Sequence, residues 1–273
     1  MKPLLLAVVA LILPAILPLP TPALAQEPPV GEDWQVHRAP EQKAIVAAAA
    51  FDNGITLVAR CSDNVFDLIL SGLPEARGKD IERQLIFIID EEADQKPYSW
   101  TVGDDRTVAF SRVPAMIARQ VPEGGNLQII IPAEPGGRRT RYVMELTRSG
   151  SAIEETLTAC GRPLVDPRDD RLEGDGDGLP NGIEWVRPPR PFFPDSPAGR
   201  PSVGYVTVSC LVGTDGRPEE CQTESEQPPG FNLGRAALRA LNSARLGQNE
   251  EARLAGRPFE GAMIVFTTTF RME

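Results

Sequence analysis

Residues 173 to 184 read E-G-D-G-D-G-L-P-N-G-I-E and set oxygen donors at the intervals of a twelve-position cation loop. Glu173 falls at position 1, Asp175 at 3, Asp177 at 5, Asn181 at 9 and Glu184 at 12, while Leu179 offers its carbonyl at 7 and Gly178 turns the chain at 6. Hard oxygens so placed can wrap one Ca²⁺. Position 1 is ordinarily Asp and no amphipathic helix leads into the loop, so the competing reading is an acidic spacer held in solvent by its own charge. No other cofactor is expected.

The four cysteines, Cys61, Cys160, Cys210 and Cys221, form an even set that allows three connectivities. The single histidine, His37, sits in a polar stretch beside Arg38, so a nucleophile–histidine pair or a histidine metal centre is not expected. No G-x-S-x-G, P-loop or G-x-G-x-x-G is present. Asp90-Glu91-Glu92 and Asp104-Asp105 read as solvated turns, with a glycosidase-like carboxylate pair as the rival. No catalytic residue is nominated.

The elements that must position these residues begin with strands at Lys43 to Phe51, Ile55 to Cys61 and Val65 to Leu70, the first two joined by Asp52-Asn53-Gly54. Further strands are predicted at Gln84 to Asp90, Tyr98 to Val102, Thr107 to Ser111, Leu127 to Ile131 and Tyr142 to Leu146, with a short helix at Pro114 to Gln120. A second helix opens on Ser151 and Glu154 as a capping box and stops at Gly161. Its face Ile153, Leu157, Cys160 meets the strand face Ile55, Leu57, Ala59, Cys61, which pairs Cys61 with Cys160; two buried free thiols are the alternative.

From 165 to 202 the composition shifts to 8 Pro and 5 Gly in 38 residues, a linker whose second half, WVRPPRPFFP, reads as an extended strap on the next unit, with a polyproline docking peptide as the rival. After it come a strand from Tyr205 to Val212, a turn at Asp215-Gly216, a return strand, a helix from Asn232 to Leu246 and a closing strand ending at Phe270. A two-residue turn would set Cys210 opposite Cys221, where a disulfide can form. The helix buries Ala237, Leu241 and Ala244 against Val206, Val208, Cys210 and Val212, with Ile264, Phe266 and Phe270 from the last strand.

Lys2, an apolar run from Leu4 and the small-residue site Ala23-Leu24-Ala25 mark residues 1–25 as a cleavable secretory signal. Export places the four thiols where disulfides form. A net charge of −10 opposes nucleic acid and anionic lipid as partners. The expected fold is α+β: a mainly antiparallel β domain over 33–164 with a helix at its end, the linker 165–202, and a small ββαβ domain over 203–273.

This last unit resembles the TonB C-terminal domain, the periplasmic module with which energy transducers grip outer-membrane receptors. The resemblance rests on Phe193-Pro194 with Ala198, the strand G-Y-V-T-V-S-C, the D-G turn, Ser225-Glu226 with Pro228, the Ala-rich helix and the strand ending at Phe270. Where that family has Pro just after the helix, this chain has Leu246-Gly247-Gln248. The pairing of Cys210 with Cys221 resembles a variant of the domain. Residues 33–164 resemble the invasion-associated locus B family of exported β domains through a tryptophan opening, a strand ending in Asx-Gly and a helix reading A-I-x-x-x-L-x-x-C-G; a cysteine of that family is missing between Ala44 and Phe51, and no function carries over.

The TonB-like resemblance implies a periplasmic interaction protein, not an enzyme, that binds a periplasmic or outer-membrane peptide or protein by adding a strand to a sheet edge. The edge is either Glu220 to Glu226 or Ala262 to Met272. The rival functions are a transducer held in the membrane by an uncleaved N-terminal helix, a hydrolase in the N-terminal domain, and a module of cell-envelope assembly that binds peptidoglycan or another envelope component.

Overall fold

The computed structural model describes residues 34–78, 81–90, 97–133, 138–149, 151–171, 178–180, 182–195 and 199–271, so the signal-sequence reading of 1–25 lies outside the described residues. The chain is β-rich and its sheets are antiparallel. Nine strands make the first sheet: β1 (Trp34–Ala39), β2 (Ala44–Ala50), β3 (Thr56–Ser62), β4 (Val65–Ser71), β5 (Glu82–Ile89), β6 (Pro97–Val102), β7 (Ala109–Ser111), β8 (Gly125–Ile131) and β9 (Thr140–Leu146), in the order β1-β2-β3-β4-β7-β6-β5-β8-β9. Between β7 and β8 lies α1 (Pro114–Ala118), and after β9 comes α2 (Ala152–Ala159).

Alternation sets the register. In β3 every second residue, Leu57, Ala59 and Cys61, is buried, and β2 answers with Ile45, Ala47 and Ala49 on the same face. The first residue of β1 reaches the residue that follows β9: the Trp34 indole N–H donates to the Thr147 carbonyl at 3.3 Å. Strand β1, not expected from the sequence, carries a polar outer face with His37 and Arg38 exposed, and only Trp34 is buried.

Helix α2 lies across β2 and β3 with Ile153 and Leu157 fully buried, and Cys160 is joined to Cys61 with Cα atoms 5.5 Å apart. It closes in a Schellman turn: Gly161, at φ 64°, donates to the Thr158 carbonyl and Arg162 to the Leu157 carbonyl. Its start departs from the expected capping box. Ser151 is itself in the helical region (φ −85°, ψ −4°), not the extended geometry a capping hydroxyl needs, and makes no side-chain cap bond.

The rest of the chain builds β10 (Ile183–Arg187), β11 (Val203–Val212), β12 (Pro218–Gln227), α3 (Leu233–Leu241), β13 (Arg245–Gln248), α4 (Glu250–Leu254) and β14 (Met263–Arg271). Strands β12-β11-β14 form a three-stranded sheet, and β10 pairs with β13. One face of β11, Val206, Val208, Cys210 and Val212, packs with Ile264, Phe270 and the Leu233, Ala237 and Leu241 face of α3 in a separate core. The opposite face joins the core of the large sheet, to which Leu211, Met263 and Val265 contribute.

The hairpin is longer than a two-residue turn. Val212 faces Pro218, Gly213 donates to the Arg217 carbonyl at 2.8 Å, and Gly213 to Arg217 form the loop. Glu220, at φ 47°, is an extra residue in β12 that shifts the register before Ser209 meets Gln222, and Cys210 is bonded to Cys221 beside this bulge. The loop has a reason to be long: Gly216 docks on β13, accepting from the Leu246 amide at 2.8 Å, and a Cβ at Gly216 would come 2.4 Å from the Leu246 carbonyl oxygen. Helix α3 therefore ends at Leu241, short of the Leu246 expected, because Arg245 to Gln248 must extend as a strand.

Helix α3 covers β11 and β12, and β14 is covered on the same side by the strap. Trp185 meets Phe266 edge-on with ring centres 5.2 Å apart, and Phe193 meets Phe270 at 5.6 Å. Residues 183–194 thus supply the apolar cover that one helix is too narrow to give.

Candidate functional site

An edge strand offers the unpaired main-chain groups that an extended segment can join, so the two edges of the three-stranded sheet are the candidate site. They differ sharply.

The outer edge of β12 is closed. Arg162 Nη2 donates to the Thr223 carbonyl and Arg168 Nη1 to the Glu220 carbonyl. Glu224, 5% exposed, accepts from the Ser209 hydroxyl at 2.5 Å and the Gln222 amide at 2.7 Å, with Arg162 at 3.7 Å and Arg168 at 4.0 Å. Arg168 also grips Asp166, whose carboxyl is held below the usual range by that hydrogen bond, against the opposing effect of burial. Arg119 completes the clamp through Asp169. Three guanidinium groups face three carboxylates, and each carboxylate is met by a donor, so the cluster fastens the segment after α2 to both sheets. Nothing in the sequence periodicity marks Arg119, Arg162 or Arg168, since their partners lie up to 62 residues away in the chain.

A second contact holds the same strand to the large sheet. Asp67 on β4, 3% exposed, accepts from Arg60 Nη2 at 2.6 Å and from the Gln227 amide of β12 at 3.1 Å. Burial pushes the Asp67 carboxyl up, and the Arg60 and Gln227 bonds oppose the shift. The neighbouring Glu226 turns the other way and accepts from the amides of Phe231, Leu233 and Gly234, capping α3 with a carboxylate borrowed from β12. Asn232 at the helix start supplies no side-chain cap.

The edge of β14 is open at its end. Gly178 bridges Val265 through both backbone bonds, at 2.6 and 3.3 Å, which shows that the odd-numbered residues of β14 aim their main-chain groups outward. Further along, the outward groups of Thr269 and the amide of Arg271 have no partner among the described residues, and both residues are exposed. Tyr205, opposite Thr269 on β11, has a buried hydroxyl without a hydrogen-bond partner among the described residues, and burial raises its phenol.

Of the cation-loop residues, Glu173, Asp175, Asp177 and Asn181 lie outside the described residues. Leu179 is half-buried against the α3 core, and Glu184 is exposed on β10 opposite Gly247. Among the described residues no group of three His, Cys, Asp or Glu side chains is arranged to hold a metal. Asp105 is taken up by the amide and hydroxyl of Thr107, and Asp90 by the Asn126 amide, while Glu91 and Glu92 lie outside the described residues.

No family model, curated protein or solved structure matches this chain.

Proposed function

We propose that this chain is a periplasmic binding protein that holds an extended peptide or protein segment along the outer edge of β14 by strand addition. In this reading an α+β chain joins an exported β domain to a ββαβ unit of the TonB C-terminal kind, made of β11, β12, α3 and β14. One contrast carries it: Arg162 and Arg168 close the β12 edge, whereas Thr269 and Arg271 leave the end of β14 open. Two disulfides suit an oxidising compartment outside the cytoplasm. Among the described residues no helix is long and apolar enough to cross a membrane.

The test is Thr269→Pro. The Thr269 N–H points away from β11, so proline removes a donor that only an added strand would use. Peptides selected from a random library on the wild-type protein should lose at least tenfold in affinity for the variant while its melting temperature stays within a few degrees. Equal affinity of the two proteins would sink strand addition at this edge.

A further inference from the structure

The strap and α3 enclose a second surface on the far side of the three-stranded sheet from its contact with the large sheet. Between them runs a groove of about 450 Å³, lined by Ala236, Arg239 and Ala240 of α3 and by Arg190, Pro191 and Phe192 of the strap. That volume is within the range of roughly 300–1,000 Å³ typical of ligand-sized clefts.

Two observations define what suits it. Phe192 is 88% exposed although its neighbours Phe193 and Pro194 are packed down, Phe193 on Phe270 and Pro194 buried, so the strap is held in place while one aromatic ring is left in water. The charge is also of one sign. Trp185 to Pro194 carries Arg187 and Arg190 and no acid, and α3 carries Arg235 and Arg239 and no acid, all four arginines exposed. Neither Arg190 nor Arg239 is ion-paired among the described residues; Arg239 spends one N–H on the Arg235 carbonyl of its own helix. In a chain of net charge −10 this is a positive island around an apolar trough.

We propose that this groove docks an acidic peptide segment whose apolar side chain packs on Phe192 and whose carboxylates meet Arg190 and Arg239. Guanidinium forks recognise carboxylates in paired hydrogen bonds, and an aromatic ring between two of them supplies the apolar anchor. Fields from the rest of the acidic chain are damped beyond a Debye length of about 8 Å, so the local arginines govern the encounter. This surface is separate from the β14 edge.

The experiment is fluorescence anisotropy with a labelled twelve-residue peptide holding two leucines flanked by Asp and Glu, beside a counterpart with Lys at every acidic position. The acidic peptide should bind the purified protein at an ionic strength of about 0.15 M at least tenfold tighter than the Lys peptide and weaken several-fold at about 1 M. Arg239→Glu and Arg190→Glu should each cost about tenfold, and Phe192→Ser several-fold, while Arg253→Glu on α4 leaves the affinity unchanged. Near-UV circular dichroism checks that each variant is folded. Equal binding of the two peptides, an unaffected Arg239→Glu variant, or sedimentation showing that a second copy of the chain fills the groove would overturn the proposal.

Discussion

Arg119, at the end of α1, holds both carboxylate oxygens of Asp169, Nε to Oδ2 at 2.5 Å and Nη2 to Oδ1 at 2.8 Å. Fifty residues of chain separate them. The pair lies at the point where composition alone suggests a loose spacer, and it turns the first part of that spacer into a fixture of the large sheet.

Arg119→Ala should therefore loosen the segment around Asp166 to Arg171. The side chain is 8% exposed, and its loss takes the paired hydrogen bonds from Asp169 and a second, more distant cation from Asp166. Because Asp166 keeps Arg168 and Asp169 is a quarter exposed, the expected loss falls below that of a fully buried broken pair, at about 2–3 kcal/mol. Urea unfolding measures it, and limited trypsin digestion should show faster cleavage at Arg168 and Arg171. A variant as stable and as resistant as the wild type would show that the clamp is idle.

Glu226→Ala removes the carboxylate that three amides at the start of α3 share. Loss of such a cap should lower stability by about 1–2 kcal/mol, and Glu226→Gln, which keeps an acceptor but no charge, by about half that. Glu251→Ala, on the exposed first turn of α4, serves as the reference. If Glu226→Ala and Glu251→Ala unfold at the same urea concentration, α3 does not depend on β12 for its cap.

Asp67 should give this protein a pH response opposite to that of its paired surface carboxylates. Its carboxyl is raised by burial, so the folded state binds a proton more tightly than the unfolded chain, whose Asp titrates at about 3.9. The stabilisation is complete below that value and is lost as pH rises through the folded pKa. Relative to Asp67→Asn, the wild-type stability should decline as pH goes from about 4 upward, measured by urea unfolding across that window. A difference that grows with pH would mean that Arg60 and Gln227 outweigh burial and that the folded carboxyl is depressed.

The two disulfides should contribute unequally. Cys61–Cys160 spans 99 positions and Cys210–Cys221 spans 11, for which chain entropy gives upper values of about 4.7 and about 3 kcal/mol. Replacing Cys61 and Cys160 by Ser should thus destabilise the large sheet more than the equivalent change in the hairpin. Non-reducing peptide mapping checks the connectivity first; a bridge from Cys61 to either hairpin cysteine would contradict it.

Most strands were legible because burial on one face forces alternation, and Leu57-Ala59-Cys61 or Val206-Val208-Cys210 cannot be read at any other period. The helix face Ile153-Leu157-Cys160 was legible for the same reason at helical spacing. Strand β1 was not, because Trp34 is its one buried residue and its outer face is polar. Strand β13 was hidden because Leu246 reads as one more apolar position of the helix before it, until the Gly216 loop claims its amide.

The local sequence by itself determined which faces are apolar, where glycine and proline interrupt them, and which cysteines share a face with a partner element, since these depend only on side-chain period along one segment. Which sheet edge stays open was decided by tertiary structure. Arg162 and Arg168 reach the carbonyls of β12 only after α2 has packed on the large sheet and brought its C-terminal end beside that strand, and no period along a single segment encodes such a meeting.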